Sequence, residues 1–124
     1  MKAKNIKITV KNRERAFREF AETLHQARKG EVVTPHYEVS FENIDTLRKV
    51  LTEKRLELWH VIKEKNPASL YELAQLVVRD LKSVNSDIQI LEELGLISLK
   101  EVHEARKKVK PHLEFDRIQV EIAV

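Results

Sequence analysis

The fold prediction for this chain depends on residues 69–102, SLYELAQLVVRDLKSVNSDIQILEELGLISLKEV. Ser69 and Glu72 have the spacing of a capping box, which starts a short helix. Asp80 has the position of an N-cap for a second helix, and Gly95 has that of its left-handed terminator. An apolar run after the glycine then begins a strand. This order of elements predicts a helix-turn-helix that leads into a β-hairpin wing.

The second of these helices is expected to have one apolar face and one face of short polar side chains. Residues spaced by three and four form the apolar face: Leu81, Val84, Ile88, Leu91 and Leu94. Amide, hydroxyl and basic side chains can contact base edges or phosphates of duplex DNA. The candidate DNA contacts of this helix are Arg79, Lys82, Ser83, Asn85, Ser86 and Gln89. The alternative is a polar face that is simply solvated.

Asp87 lies on the same helix and fits a DNA contact poorly, because a carboxylate repels phosphate. Two roles are open to it. It can form a structural ion pair with a nearby lysine or arginine, or it can accept a hydrogen bond from cytosine. The sequence favours the structural ion pair.

A basic cluster follows the predicted strand and belongs to the tip and return of the hairpin. Its members are Arg106, Lys107, Lys108 and Lys110. These side chains are expected to lie along the DNA backbone or to enter the minor groove. The net charge of the chain is only +3, so the distribution of charge matters more than the total. Basic residues also concentrate in the first fifteen positions, although ordinary solvated lysines would give the same pattern.

The first forty-odd residues have a separate pattern. Alternating apolar residues predict a strand at Ile6–Val10 and another at Tyr37–Phe41, with a helix between Asn12 and Gly30. This strand-helix-strand segment is too small to bury its apolar faces alone, so it must pack on the rest of the chain or on a second copy. The predicted fold is therefore α+β, with a strand-helix-strand extension at residues 1–43 and a winged helix-turn-helix domain at residues 44–124.

The composition argues against several classes of protein. No cysteine is present, the five histidines never have the i, i+4 spacing of a helical metal pair, and the two glycines form no phosphate-binding loop. We therefore expect neither a metal site nor a cofactor, and no enzymatic activity. No apolar run approaches the length of a membrane span. The absence of cysteine fits a reducing cytoplasm.

These segments resemble the small winged helix-turn-helix predicted transcriptional regulators of archaea and bacteria, relatives of the MarR group. The similarity is strongest at residues 40–55, 74–87 and 91–97, and it includes a closing segment at residues 114–118. The resemblance implies a cytoplasmic, dimeric DNA-binding regulator whose reading helix spans Asp80–Leu94. Some such regulators act as the antitoxin of a neighbouring toxin. This chain lacks the long flanking dimerisation helices of full MarR proteins.

Two functional hypotheses follow. In the first, the chain is a sequence-specific regulator of double-stranded DNA, a dimeric repressor of its own transcription, with two copies joined across the Ile6–Val10 or the Tyr37–Phe41 strand edge. In the second, it is a protein-interaction module or antitoxin whose N-terminal unit binds a partner such as a toxin. Both hold together in an antitoxin that represses its own operon.

Overall fold

A computed structural model describes residues 5–30, 38–103 and 107–123 of the chain. Its helices and strands, in chain order, are β1 (Asn5–Val10), α1 (Arg13–Arg28), β2 (Glu38–Phe41), α2 (Ile44–Val50), α3 (Glu53–Lys65), α4 (Leu70–Val77), α5 (Leu81–Glu93), β3 (Ile97–His103), β4 (Lys107–Leu113) and β5 (Arg117–Ile122). They form two compact units. We call residues 5–49 with 117–123 the parallel-sheet unit, and residues 50–116 the helical unit.

The parallel-sheet unit contains a three-stranded sheet in the order β2-β1-β5, with both pairs of neighbours parallel. α1 stands between β1 and β2 in the chain, as parallel neighbours require a crossover connection. The side-chain oxygen of Asn12 accepts a hydrogen bond from the Arg15 N–H at 2.9 Å and so caps the start of α1. Gly30 follows the helix end with φ of +78°. The predicted first strand and first helix are confirmed.

Residues of β1 alternate between the two faces of this sheet. The apolar residues of one face are all buried: Ile6, Ile8 and Val10. On the other face Thr9 is buried too, and its Oγ1 donates a hydrogen bond to Glu38 Oε1 at 2.8 Å. Lys11 Nζ pairs with the same Glu38 oxygen at 2.9 Å and also with Glu19 of α1. Burial works to lower the pKa of Lys11, but hydrogen bonds with the two carboxylates outweigh it and raise that pKa.

The helix α1 directs polar residues toward this sheet and leaves its apolar stripe uncovered. Arg15, Glu19 and Glu22 line a polar cleft of about 370 Å³ together with residues of β1 and β5. Phe17, Phe20 and Leu24 are 72, 67 and 44% exposed, and no residue of α1 is buried. The described part of the chain therefore leaves the apolar face of this helix open to a partner.

The helical unit packs α3, α4 and α5 with an antiparallel hairpin of β3 and β4. Its core is formed by fully buried aliphatic side chains from every helix and from the start of the hairpin: Leu58, Leu73, Val84, Ile88, Leu91 and Leu96. Thr52 caps α3, since its Oγ1 accepts a hydrogen bond from the Arg55 N–H at 3.3 Å. Asn66, in the left-handed conformation with φ of 45°, ends the same helix directly before a buried Pro67.

The α+β prediction is confirmed, but the chain is divided differently from the expected boundary after residue 43. Residues 117–122, expected within the second domain, form β5 and pair with β1 instead. Because β1 is paired on both sides, Ile6–Val10 has no free edge through which two copies could join. Tyr37, at the start of the other expected edge, lies outside the described residues. These pairings join residues more than a hundred positions apart, which local patterns do not encode.

Candidate nucleic-acid interface

Hydrogen bonds cap the start of α4, and the end of this helix leads into a short turn before α5. Ser69 Oγ accepts a hydrogen bond from the Glu72 N–H at 3.1 Å, as the capping box predicts. The Glu72 carboxylate accepts its hydrogen bond from the N–H of Ala68, at 3.0 Å, rather than from that of Ser69. Val78 ends α4 in the left-handed conformation, with φ of 55°. The predicted helix starts are confirmed, and the two helices follow each other after only three residues.

α5 is anchored by its buried face and exposes the opposite one. Its buried residues are Val84, Ile88 and Leu91, as the apolar spacing predicts. Lys82, Ser86 and Gln89 are exposed on the remaining surface, and Asn85 is half-buried. The stripe predicted to contact DNA is therefore brought together on one helix surface.

Two serines of α5 make local hydrogen bonds. The Ser83 N–H and Oγ both donate to the Asp80 carboxylate, at 2.9 and 2.8 Å. These bonds hold the pKa of Asp80 below its usual value, and they make Ser83 part of the helix cap. Ser86 Oγ donates to the Lys82 backbone oxygen at 3.1 Å, which leaves its own oxygen available as an acceptor.

Asp87 is held between two arginines. Its Oδ1 lies 3.0 Å from Arg55 Nε, and its Oδ2 lies 2.7 Å from an Arg79 nitrogen. Arg55 also donates to the Val50 backbone oxygen at 2.6 Å, so the cluster ties the beginning of α3 to α5. The predicted ion pair of Asp87 is confirmed. We call Arg55, Arg79 and Asp87 the arginine-aspartate cluster.

The two arginines of this cluster keep Asp87 ionised. Partial burial works to raise the pKa of Asp87, but hydrogen bonds from Arg79 and Arg55 outweigh it and lower the pKa. Arg79, a predicted phosphate contact, is thus engaged within the chain, with its side chain 20% exposed. Its Nη1 is buried and has no hydrogen-bond partner among the described residues.

The hairpin gathers basic residues on one of its faces. Antiparallel register places Lys100 opposite Lys110, Val102 opposite Lys108, and Ser98 opposite His112. Residues opposite each other share a face, so Lys100, Lys108 and Lys110 form what we call the basic face. Like charges directly opposite each other are unfavourable unless an anion compensates them. Lys100 did not stand out in the sequence, because its membership depends on the strand register.

Two of the predicted hairpin contacts lie outside what the structure describes. Arg106 belongs to the three positions between the described strands, and of Lys107 only the backbone is described. Lys108 is exposed and Lys110 is half-buried. The described basic residues of the hairpin therefore lie along its strands.

A groove of about 710 Å³ brings α5, α4 and the hairpin together. Asn85 of α5 and Lys108 of β4 both line it, along with the polar start of α4 at Ser69 and Gln75 further along that helix. The Asn85 side-chain oxygen is buried and has no hydrogen-bond partner in the described part of the chain. An amide and an ammonium group lining one groove can bind a ligand that offers both donors and anionic acceptors.

The described residues contain no group of three histidine, cysteine, aspartate or glutamate side chains placed to hold a metal ion. No helix among them has both the length and the apolar character needed to cross a membrane. Neither observation adds a second candidate site.

The fold and this surface define a small α+β protein with a three-helix-and-hairpin unit. Residues 50–120, more than half of the chain, match the family profile described as HVO_A0114, so the chain belongs to the HVO_A0114 family. No curated protein and no solved structure matches it. The family description names no MarR-like regulator, and that resemblance stays a prediction. The matched range covers α3, α4, α5 and the hairpin.

Proposed function

We propose that the helical unit is a winged helix-turn-helix that binds double-stranded DNA, with α5 in the major groove and the hairpin as the wing. The observation that carries this proposal is the groove shared by Asn85 of α5 and Lys108 of the hairpin. A recognition helix and a wing must face the same duplex, and this groove lies between the two elements.

The charges around α5 support the proposal. The carboxylate of Asp87 would repel phosphate if it were free, but two arginines compensate it. Among the exposed side chains of α5, Lys82 and Gln89 have chemistry suited to phosphates and to adenine edges. In this arrangement Arg79 and Ser83 position the helix rather than contact the DNA.

The basic face of the hairpin supplies the contacts that do not depend on DNA sequence. Three lysines close together attract the phosphate backbone and release counterions when they bind it. The mutual repulsion of Lys100 and Lys110 falls when a phosphate lies beside them. We infer that the protein acts as a cytoplasmic transcriptional regulator, a repressor that binds two half-sites as a dimer.

Exposed apolar residues favour a second candidate, a protein-interaction module such as an antitoxin. Tyr71, Val78 and Leu81 are exposed around the turn between α4 and α5, and Val78 is 88% exposed. The uncovered stripe of α1 offers a second apolar surface, now in the parallel-sheet unit. Exposed aromatic and aliphatic side chains are more typical of protein docking than of DNA contact.

The test is fluorescence anisotropy with the duplex upstream of the protein's own gene and with a scrambled duplex, over a series of salt concentrations. Gln89→Ala should weaken binding to the upstream duplex by about tenfold, and binding to the scrambled duplex much less. Equal losses on both duplexes would show that Gln89 does not contact bases. No binding at low salt would reject the proposal and favour the protein-interaction module.

A triple lysine variant tests whether the basic face of the hairpin contacts DNA. Replacing Lys100, Lys108 and Lys110 with alanine should weaken binding to every duplex and reduce the slope of log affinity against log salt by about 2 to 3. Lys63→Ala, which removes an exposed lysine of α3, is the matched control and should leave that slope unchanged. An unchanged slope in the triple variant would remove the hairpin from the DNA interface.

A further inference from the structure

β5 is the last strand of the three-stranded sheet, and among the described residues only its edge toward β1 is paired. Its neighbour β1 pairs with it in parallel from Asn5↔Arg117 to Val10↔Ile122. The other edge offers unpaired backbone N–H and C=O groups, which proteins usually protect with a proline, a bulge or a covering element. The sequence Arg117–Ile122 contains no proline. Val120 and Ile122 on this strand are 46 and 47% exposed.

The direction of the backbone groups determines which residues can pair at the free edge. The Ala123 N–H donates to the Val10 backbone oxygen at 3.1 Å, so the groups of odd-numbered residues point toward β1. Backbone groups alternate in direction along a strand. Ile118, Val120 and Ile122 therefore direct their N–H and C=O groups outward.

We propose that two copies of the chain join through this edge, β5 antiparallel to β5, with Gln119 on the two-fold axis. This register places Ile118 opposite Val120 of the second copy, and the two residues exchange backbone hydrogen bonds. Gln119 then faces its own counterpart in a pair without hydrogen bonds between the backbones. A six-stranded sheet continues across the axis, in an isologous interface.

The side chains of β5 are self-complementary in this register. Arg117 lies opposite Glu121 of the second copy, and by symmetry the pair occurs twice. Glu121 already pairs with Lys7 of its own chain at 2.7 Å, with its side chain 51% exposed, so it can accept a second cation. On the other face, Ile118 and Val120 form an apolar cross-strand pair that extends the buried face of β1.

The other edge of the sheet does not offer the same match. β2 has four described residues, Glu38–Phe41, and an antiparallel self-pairing of them brings no opposite charges together. Its acidic residue Glu38 is already bonded by Thr9 and Lys11 within the chain. The register and the charges thus favour β5 over β2.

The first experiment reverses one charge at a time and then mixes the variants. Arg117→Glu and Glu121→Lys each place like charges opposite each other at both symmetric positions, and each should weaken the dimer by about tenfold. Mixed together, the two variants form a heterodimer with an opposite-charge pair at both positions. Light scattering after size exclusion, without DNA, should show that the mixture dimerises at concentrations where neither variant does.

The second experiment uses the absence of natural cysteines. In an antiparallel pair, two facing residues that share no backbone hydrogen bond have Cα atoms about 4.5 Å apart. This distance lies within the Cα–Cα range of a disulfide. Gln119→Cys should therefore form a disulfide-linked dimer under mild oxidation. Val120→Cys is the matched control on the same strand: cysteine keeps the apolar character of valine, it faces position 118 of the second copy and not itself, and it should not crosslink.

The outcomes separate this proposal from DNA binding by the helical unit. Recovery of the dimer in the mixture, with crosslinking at position 119 alone, supports the β5 interface whether or not the protein binds DNA. A monomeric wild type over the whole concentration series would overturn it. So would a dimer that both charge reversals leave intact, or one that crosslinks equally at both positions. Circular dichroism verifies that each variant remains folded.

Discussion

Asp87→Asn is the sharpest test of the arginine-aspartate cluster. The two ion pairs measure 3.0 and 2.7 Å, and the three side chains are at most 20% exposed. Asparagine keeps one acceptor oxygen but turns an amide toward the second arginine, and both ion pairs with the Asp87 carboxylate are lost. A hydrogen bond to a charged group contributes about 1.5–3 kcal/mol, and we expect a loss of about 2 kcal/mol in the free energy of unfolding.

Trp59 makes this loss measurable, since it is the only tryptophan and lies on α3 of the same unit. Urea unfolding followed by its fluorescence should show a midpoint lower by about 1 M, given the usual dependence on denaturant. Asp45→Asn is the matched control. Its carboxylate on α2 is 81% exposed and lies 3.8 Å from Arg48, so its removal should change stability by less than about 0.5 kcal/mol.

The pH dependence of stability in wild type and in Asp87→Asn tests the direction of the Asp87 pKa shift. The folded state lowers the pKa of Asp87, so its carboxylate stabilises the fold above the usual aspartate range, and this contribution disappears as the pH falls through the lowered pKa. Wild type and Asp87→Asn should therefore differ at pH 7 and converge as the pH falls below about 4. Equal midpoints at pH 7, or a difference unchanged at low pH, would refute the reasoning.

Two further substitutions test other parts of the fold. Val78→Gly should raise the stability by about 1 kcal/mol, because a β-branched residue is strained at φ of 55° and glycine is not. Lys11→Met should lower it by about 2 kcal/mol, since Glu19 and Glu38 would keep their charges beside an apolar side chain. Urea unfolding monitored by circular dichroism measures both. A destabilised Val78→Gly, or a Lys11→Met protein as stable as wild type, would contradict the respective argument. Val61→Gly, within regular α3, is the control for the first and should destabilise.

Local patterns were sufficient to predict α1, α4, α5 and much of the candidate site. The caps at Asn12, Ser69 and Asp80 act within three or four residues, and each appears where its spacing predicts. The apolar face of α5 follows the same short-range rule. The ion pair of Asp87 was predicted by chemistry alone, because an isolated carboxylate on a DNA-contacting helix is unfavourable.

Other parts of the site could be assigned only from the strand register and the side-chain distances in the structure. Arg79 has the charge expected of a phosphate contact, yet it forms an ion pair with Asp87 at 2.7 Å. Lys100 joins the basic face only because the hairpin register places it opposite Lys110. The polar orientation of α1 could not be predicted either, since its apolar stripe is a normal pattern for a helix that packs against a core.

The sequence by itself determined the elements whose hydrogen bonds and apolar spacing are local: the helices, their caps and the basic composition of the hairpin. Only the tertiary structure decided that β5, expected within the second domain, pairs with β1, which makes β1 the central strand and β5 an edge. The physical reason is that a strand's own residues fix which side chains share a face. Which strand lies beside it depends on the backbone hydrogen bonds and buried area that distant segments compete to provide.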